Sequence, residues 1–166
     1  MAMDTEESLD RMAEESEPAP ATPGSIVVGH DGSADAQAAL EMAMEMAGKL
    51  GRPVLMVRAW SIVTAPRPAA WSAGYVPPFD EFAAAVKEEM LRHAGPVAQK
   101  FPDVEISYLP VHAAPLKALV AISRDAYLLV LGTRGRGGLQ GMRLGSVSGQ
   151  CMRHGQCPVL VVRPQT

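Results

Sequence analysis

Short apolar runs alternate with longer stretches of helical period along most of the chain. Ser25-Ile-Val-Val28 reads as a buried strand, and Ala36 to Leu50 as an amphipathic helix carrying Ala39, Leu40, Ala43, Met46, Ala47 and Leu50 on one face. Gly51 stands where a left-handed cap ends such a helix. Pro53 to about Ala59 predicts a second strand, and Phe79 to Lys100 a second helix, interrupted or ended near Gly95-Pro96. Val104 to Val111 predicts a third strand, and Ala114 to Arg124 a third helix with Pro115 in its first turn. Tyr127 to Leu131 predicts a fourth strand, a last helix ends near His154, and Pro158 to Val162 forms a fifth strand. Strands that alternate with helices need crossover connections. The pattern therefore predicts a parallel sheet covered on both faces.

The fourth strand runs into a loop containing Gly132, Gly135, Gly137, Gly138 and Gly141, and the last helix opens at Gly145-Ser146-Val147-Ser148. Glycines let backbone N–H groups approach an anion closely, and a helix N-terminus adds unpaired donors and partial positive charge. Ser146 or Ser148 can cap that helix or offer a hydroxyl to phosphate. Two common phosphate motifs do not fit. No lysine follows these glycines as a Walker A loop requires, and Gly135-Arg-Gly137-Gly138 is not the three-glycine turn of a dinucleotide site. Glycines alone suit a bare flexible loop as well as a binding loop.

The spacing narrows the choice. Gly132-x2-Gly135-x9-Gly145-Ser146 resembles the G-2x-G-9x-G-[S/T] signature of the universal stress protein family. VLGTRGRGG before it, LGSVS within it, CPVLVVRP after it, and Asp31-Gly32-Ser33 after the first strand are similar too, so the resemblance covers about Ser25 to Pro164. It implies a Rossmann-like, adenine-nucleotide-alpha-hydrolase-like α/β fold: a five-stranded parallel open sheet, order 3-2-1-4-5, with helices on both faces. The loops after strands one and four would then share the crevice where the winding reverses, which is where ligands of open α/β sheets bind.

The resemblance implies that Gly132, Gly135, Gly145 and Ser146 cradle phosphates, with Val147 and Ser148 extending the contact through N–H groups. Asp31 would bind a ribose hydroxyl or help hold a metal; read without the resemblance, it is a turn residue. Backbone atoms at Ala59, or a neighbour by one, would read adenine. Arg134, Arg136 and Arg143 are each either a phosphate fork or a solvated loop charge. The chain departs from the family pattern at Ala126-Tyr127-Leu128, where Ala-Asp-Leu is usual, and at His112-Ala-Ala-Pro115, where Gly-x-Pro is common. Both departures fall on the rim of the expected pocket.

Charge is uneven. Of a formal net charge of −3, the first 24 residues carry seven acids against Arg11, a net of −6, which leaves +3 for the rest. The remainder suits an anionic small ligand and is too weakly basic for nucleic acid. Residues 1–24, acidic and then rich in Pro and Ala, are expected to be a disordered tail, and residues 25–166 a single domain. Cys151, His154 and Cys157 lack the spacing of a zinc site; the two thiols read as buried or half-buried in a reducing compartment, and His154, like His112, as a surface or half-buried histidine. No apolar run reaches a membrane span, and the acidic start lacks the apolar core of a signal peptide, so the cytoplasm is the expected location. His30 beside Asp31 invites an acid/base role, although the family tolerates varied residues there. Residues 61–78, rich in Pro and Ala and holding Trp71 and Tyr75, read as a lid or an interface loop.

The leading expectation is an ATP-binding regulator of a stress response, with Mg²⁺ accompanying the triphosphate and little or no hydrolysis. No obvious base, Walker lysine or arginine finger stands out for phosphoryl transfer, so no residue is assigned a catalytic role. The resemblance also implies a homodimer through the last strand, whose apolar edge needs a partner. Protein partners are expected but not identified. The alternatives are an interaction module of the same fold without nucleotide binding, and a slow ATPase.

Overall fold

A computed structural model describes residues 21–136 and 144–165. The sheet is parallel, in the order β3-β2-β1-β4-β5, with β1 Ile26–Gly29, β2 Val54–Trp60, β3 Ile106–His112, β4 Leu128–Gly132 and β5 Val159–Val162. Helices α1 (Ala34–Leu50) and α2 (Phe79–Ala98) cover one face, and α3 (Pro115–Ser123) and α4 (Ser146–His154) the other.

Alternation along the strands divides the core. Ile26, Val28, Val54, Met56, Trp60, Leu128 and Val130 pack with α1 and α2, whereas Val27, Val57, Leu129 and Leu131 pack with α3 and α4. Because both faces are buried, the central strands read as unbroken apolar runs. Ala21, ahead of the expected boundary at Ser25, is buried in the second cluster, and the Gly24 N–H donates to the Asp125 carbonyl. Residues 1–20 of the expected tail lie outside the described residues.

Local chemistry sets the element ends. Ser33 caps α1, its Oγ accepting from the Ala36 N–H at 3.2 Å, and Gly51 ends the helix in the left-handed region at φ 64°. The helix therefore begins at Ala34, two residues before its apolar stripe. The expected interruption of the second helix at Gly95-Pro96 does not occur, since α2 continues to Ala98. Proline removes one backbone donor within the last turn, while buried Ala94 and Val97 hold that turn on the core. Residues 61–78 are anchored through buried Ile62 and Ala65, and Trp71 meets Phe82 edge-on at 5.5 Å. Tyr75 remains exposed. Among the described residues, no helix is long and apolar enough to cross a membrane.

Candidate nucleotide-binding crevice

The registers align three strand ends. Gly29 pairs with Val57 and Val28 with Val130, which carries Asp31, Ala59 and Thr133 to the same edge of neighbouring strands β1, β2 and β4. From this point β1 leads onward to β2 on one side and β4 to β5 on the other, so the loops after β1 and β4 open one crevice.

Two aspartates, one in the turn after β1 and one in the first turn of α1, fix the start of the glycine loop. Asp31 accepts the Ser33 N–H through Oδ1 (3.0 Å) and the Arg136 N–H through Oδ2 (2.8 Å). Asp35, in the first turn of α1, accepts the Thr133 hydroxyl and the Arg134 N–H (3.0 Å) on a single oxygen. Burial alone would raise the Asp31 carboxyl, but the hydrogen bonds from Ser33 and Arg136 outweigh it and hold the group below its ordinary 3.8.

The glycines are matched to these acids. A Cβ on Gly132 would lie 2.6 Å from the Asp35 carbonyl carbon and 2.8 Å from its oxygen. One on Gly135 would lie 2.6 Å from Asp31 Oδ2. Only a bare backbone lets α1 and the loop close on each other here. At the far end of the loop, the Gly145 N–H donates to the Thr133 carbonyl at 2.6 Å, and buried Ser148 directs its hydroxyl to the carbonyls of Thr133 and Gly145, each at 3.1 Å. The Ser148 hydroxyl is thus engaged in joining α4 to β4. Ser146 is exposed and Val147 packs into the second cluster, and the N–H groups at this helix start have no acceptor within the helix. Arg134 is exposed, with its Nε 4.0 Å from Asp35 Oδ2. Gly137, Gly138, Gly141 and Arg143 lie outside the described residues.

His30 has a structural place. Its Nδ1 accepts the Gly32 N–H (3.1 Å), which assigns the proton to Nε2, and Nε2 donates to Gln37 Oε1 at 3.1 Å. The Gln37 amide then donates to the His93 carbonyl, linking β1, α1 and α2. Burial pushes the His30 imidazole down to about 4; the Gln37 bond opposes this, His93 adds to it, Asp31 opposes it, and Arg58 adds least. Protonation at Nδ1 would also break the Gly32 bond. Between pH 6.5 and about 4 the unfolded chain takes up a proton that the native state refuses, so stability present above 6.5 is lost as pH falls. His30 contributes about 2–3 kcal/mol to that loss. Urea midpoints measured across the window should fall for the natural chain, and His30→Asn, whose Oδ1 can accept the Gly32 N–H, should flatten the slope.

Cys151 is buried in the second cluster, where burial pushes its thiol up to about 11, and Cys157 is half-buried. Among the described residues, no three His, Cys, Asp or Glu side chains gather as a metal site. The two departures from the family pattern separate. Tyr127 stands just before β4, its ring centroid 3.7 Å from the Arg52 guanidinium, at the end of the sheet opposite the crevice and not on the expected rim. His112 ends β3 on the crevice side and packs against Trp60 and Phe79.

The universal stress protein family model matches residues 24–163. The chain belongs to that family. Universal stress proteins of Mycobacterium tuberculosis and Mycobacterium bovis are 36% identical over 141 residues, covering 83% of this chain and 45% of theirs. This universal stress protein thus spans about half the length of those relatives. A universal stress protein solved in complex with cAMP is 29% identical, with a TM-score of 0.60, and covers 86% of this chain and 98% of its own. One from Archaeoglobus fulgidus in complex with dAMP is 24% identical (TM-score 0.57, 83% of this chain and 96% of its own) and shares the fold.

Asp35 and Thr133 were not candidates in the sequence, because an aspartate in a helical first turn is ordinary there and its partner lies 98 residues away. Arg58 did leave a trace, as a charge inside the apolar strand VLMVRAW.

Proposed function

We propose that this universal stress protein binds an adenine nucleotide in the crevice and acts as an ATP-responsive regulator with little or no hydrolysis. The observation that carries the reading is the double clasp. Asp31 and Asp35 hold Thr133, Arg134 and Arg136 at the switch point, beside the start of α4. The cAMP complex of a 29% identical relative supports the ligand class. In this reading the N–H groups of Gly135 and of Ser146 to Ser148 donate to phosphate oxygens, Gly145, its own N–H held by Thr133, sets the start of α4 beside them, and Arg134 adds a fork. Gly132 shapes the floor, the Ala59 backbone reads adenine, and Asp31 accepts a ribose hydroxyl with its remaining lone pairs. Mg²⁺ would arrive with the triphosphate, held mainly by phosphate and water.

A homodimer through β5 belongs to the same reading; among the described residues that strand pairs only with β4, and its apolar side chains are half-exposed. The mass in solution tests that part. Calorimetric titration of ATP and AMP with Mg²⁺ tests the site. The natural chain should bind, and Gly135→Val, which forces Asp31 aside, should bind at least about tenfold more weakly. Binding by neither chain would turn the reading to an interaction module of the same fold.

A further inference from the structure

Arg58 points from β2 toward α1 and α2, where Val54, Met56 and Trp60 are core residues, and is only 3% exposed. Its Nη2 donates to Glu89 Oε2 at 3.1 Å, whereas Nη1 is buried without a hydrogen-bond partner. His93 Nδ1, on α2, is likewise buried and unpaired. Buried polar atoms without a hydrogen-bond partner are costly and rarely left so.

These groups converge on one small space. Gly32 adopts φ +87°, and the position a Cβ would take there is 3.3 Å from Arg58 Nη1, 3.4 Å from His93 Cε1 and 3.6 Å from Arg136 Cζ. Two guanidinium groups therefore face each other across the turn after β1. The acids nearby are already engaged: Glu89 by Arg58, and Asp31 by the N–H groups of Ser33 and Arg136. What the space lacks is an acceptor bearing negative charge. Arg136 is exposed, so a rotamer change opens the space to the crevice.

We infer that Arg58 and Arg136 form an oxyanion subsite beside Gly32 that takes a phosphoryl group. Arg58 Nη1 donates from a fixed, buried position, and Arg136 closes over the same group from the loop. The naming of an adenine nucleotide as the carrier of that group rests on the proposed function. Free phosphate offers the same chemistry.

The test compares adenosine, AMP and inorganic phosphate, by calorimetry and by the ¹⁵N side-chain resonances of Arg58. Three chains are compared: the natural one, Arg136→Gln, and Arg58→Gln with Glu89→Gln, which avoids a buried unpaired glutamate. AMP affinity should fall about tenfold or more in both variants while adenosine affinity stays unchanged, and AMP should shift the Arg58 resonances. If the double variant fails to fold, Arg136→Gln and the Arg58 resonances decide alone. Phosphate that shifts Arg58 in a chain binding neither adenosine nor AMP supports the subsite and removes the nucleotide reading. AMP binding that is equal in all three chains, with Arg58 unshifted, overturns the subsite and leaves the nucleotide reading standing. Arg58 resonances unmoved by every probe overturn it too, with water as the occupant.

Discussion

Gly132→Ala is expected to destabilise the protein by about 2–3 kcal/mol, although it adds one methyl group. That methyl would meet the Asp35 backbone at 2.6–2.8 Å, and backbone in the first turn of α1 cannot swing away as a side-chain tip can. Either α1 lifts from β4 or β4 is displaced beneath it. Both moves disturb fully buried residues, since Leu40 and Met44 of α1 and Val130 of β4 share one core. Gly135→Ala is the contrasting case. Its methyl would meet only the Asp31 carboxylate, so the cost should be smaller and should appear mainly in ligand affinity. Urea denaturation of both variants checks the order. A Gly132→Ala chain within 0.5 kcal/mol of the natural one, roughly the scatter of surface substitutions, would show that α1 is not pressed against the end of β4.

Asp35→Ala is expected to cost a similar amount, about 2–4 kcal/mol, by a different route. The carboxylate is 13% exposed and accepts the Thr133 hydroxyl and the Arg134 N–H. Hydrogen bonds to a charged acceptor are each worth about 1.5–3 kcal/mol, and truncation leaves both donors to seek water. The acid also favours the N-terminus of α1. Loss of this clasp frees the start of the glycine loop, so nucleotide affinity should fall together with stability. Asp35→Asn, which keeps an acceptor, should recover part of both. Urea titration with parallel nucleotide titration makes the measurement. Full stability in Asp35→Ala would mean that the loop is held by Asp31 and Thr133 alone.

Much of the fold was legible because its strands are buried on both faces, so β1, β2 and β4 stand out as apolar runs between helical periods. The strand ends were less so. Gly29, Trp60 and Gly132 complete their strands through backbone pairing that side-chain chemistry does not announce. Gly95-Pro96 looked like a break and is not one, because tertiary burial of Ala94 and Val97 overrides a local signal. The glycine spacing identified the loop but not what each glycine accommodates. Gly132 makes room for α1 and Gly135 for Asp31, and both contacts join residues about a hundred positions apart. Ser148 read as a phosphate ligand or a cap, yet its hydroxyl seals α4 to Thr133. Arg58 showed only as a charge within an apolar strand, and its partner Glu89 lies on α2.

Titration of the ¹⁵N-labelled chain with AMP, followed by backbone amide shifts, tests the nucleotide crevice most directly. Shifts confined to residues 30–33, Ala59, Gly132 to Arg136 and Gly145 to Ser148, with little change at β3 and the outer faces of the helices, are the predicted result. Unchanged spectra at millimolar AMP, or shifts centred away from the ends of β1, β2 and β4, would contradict the account.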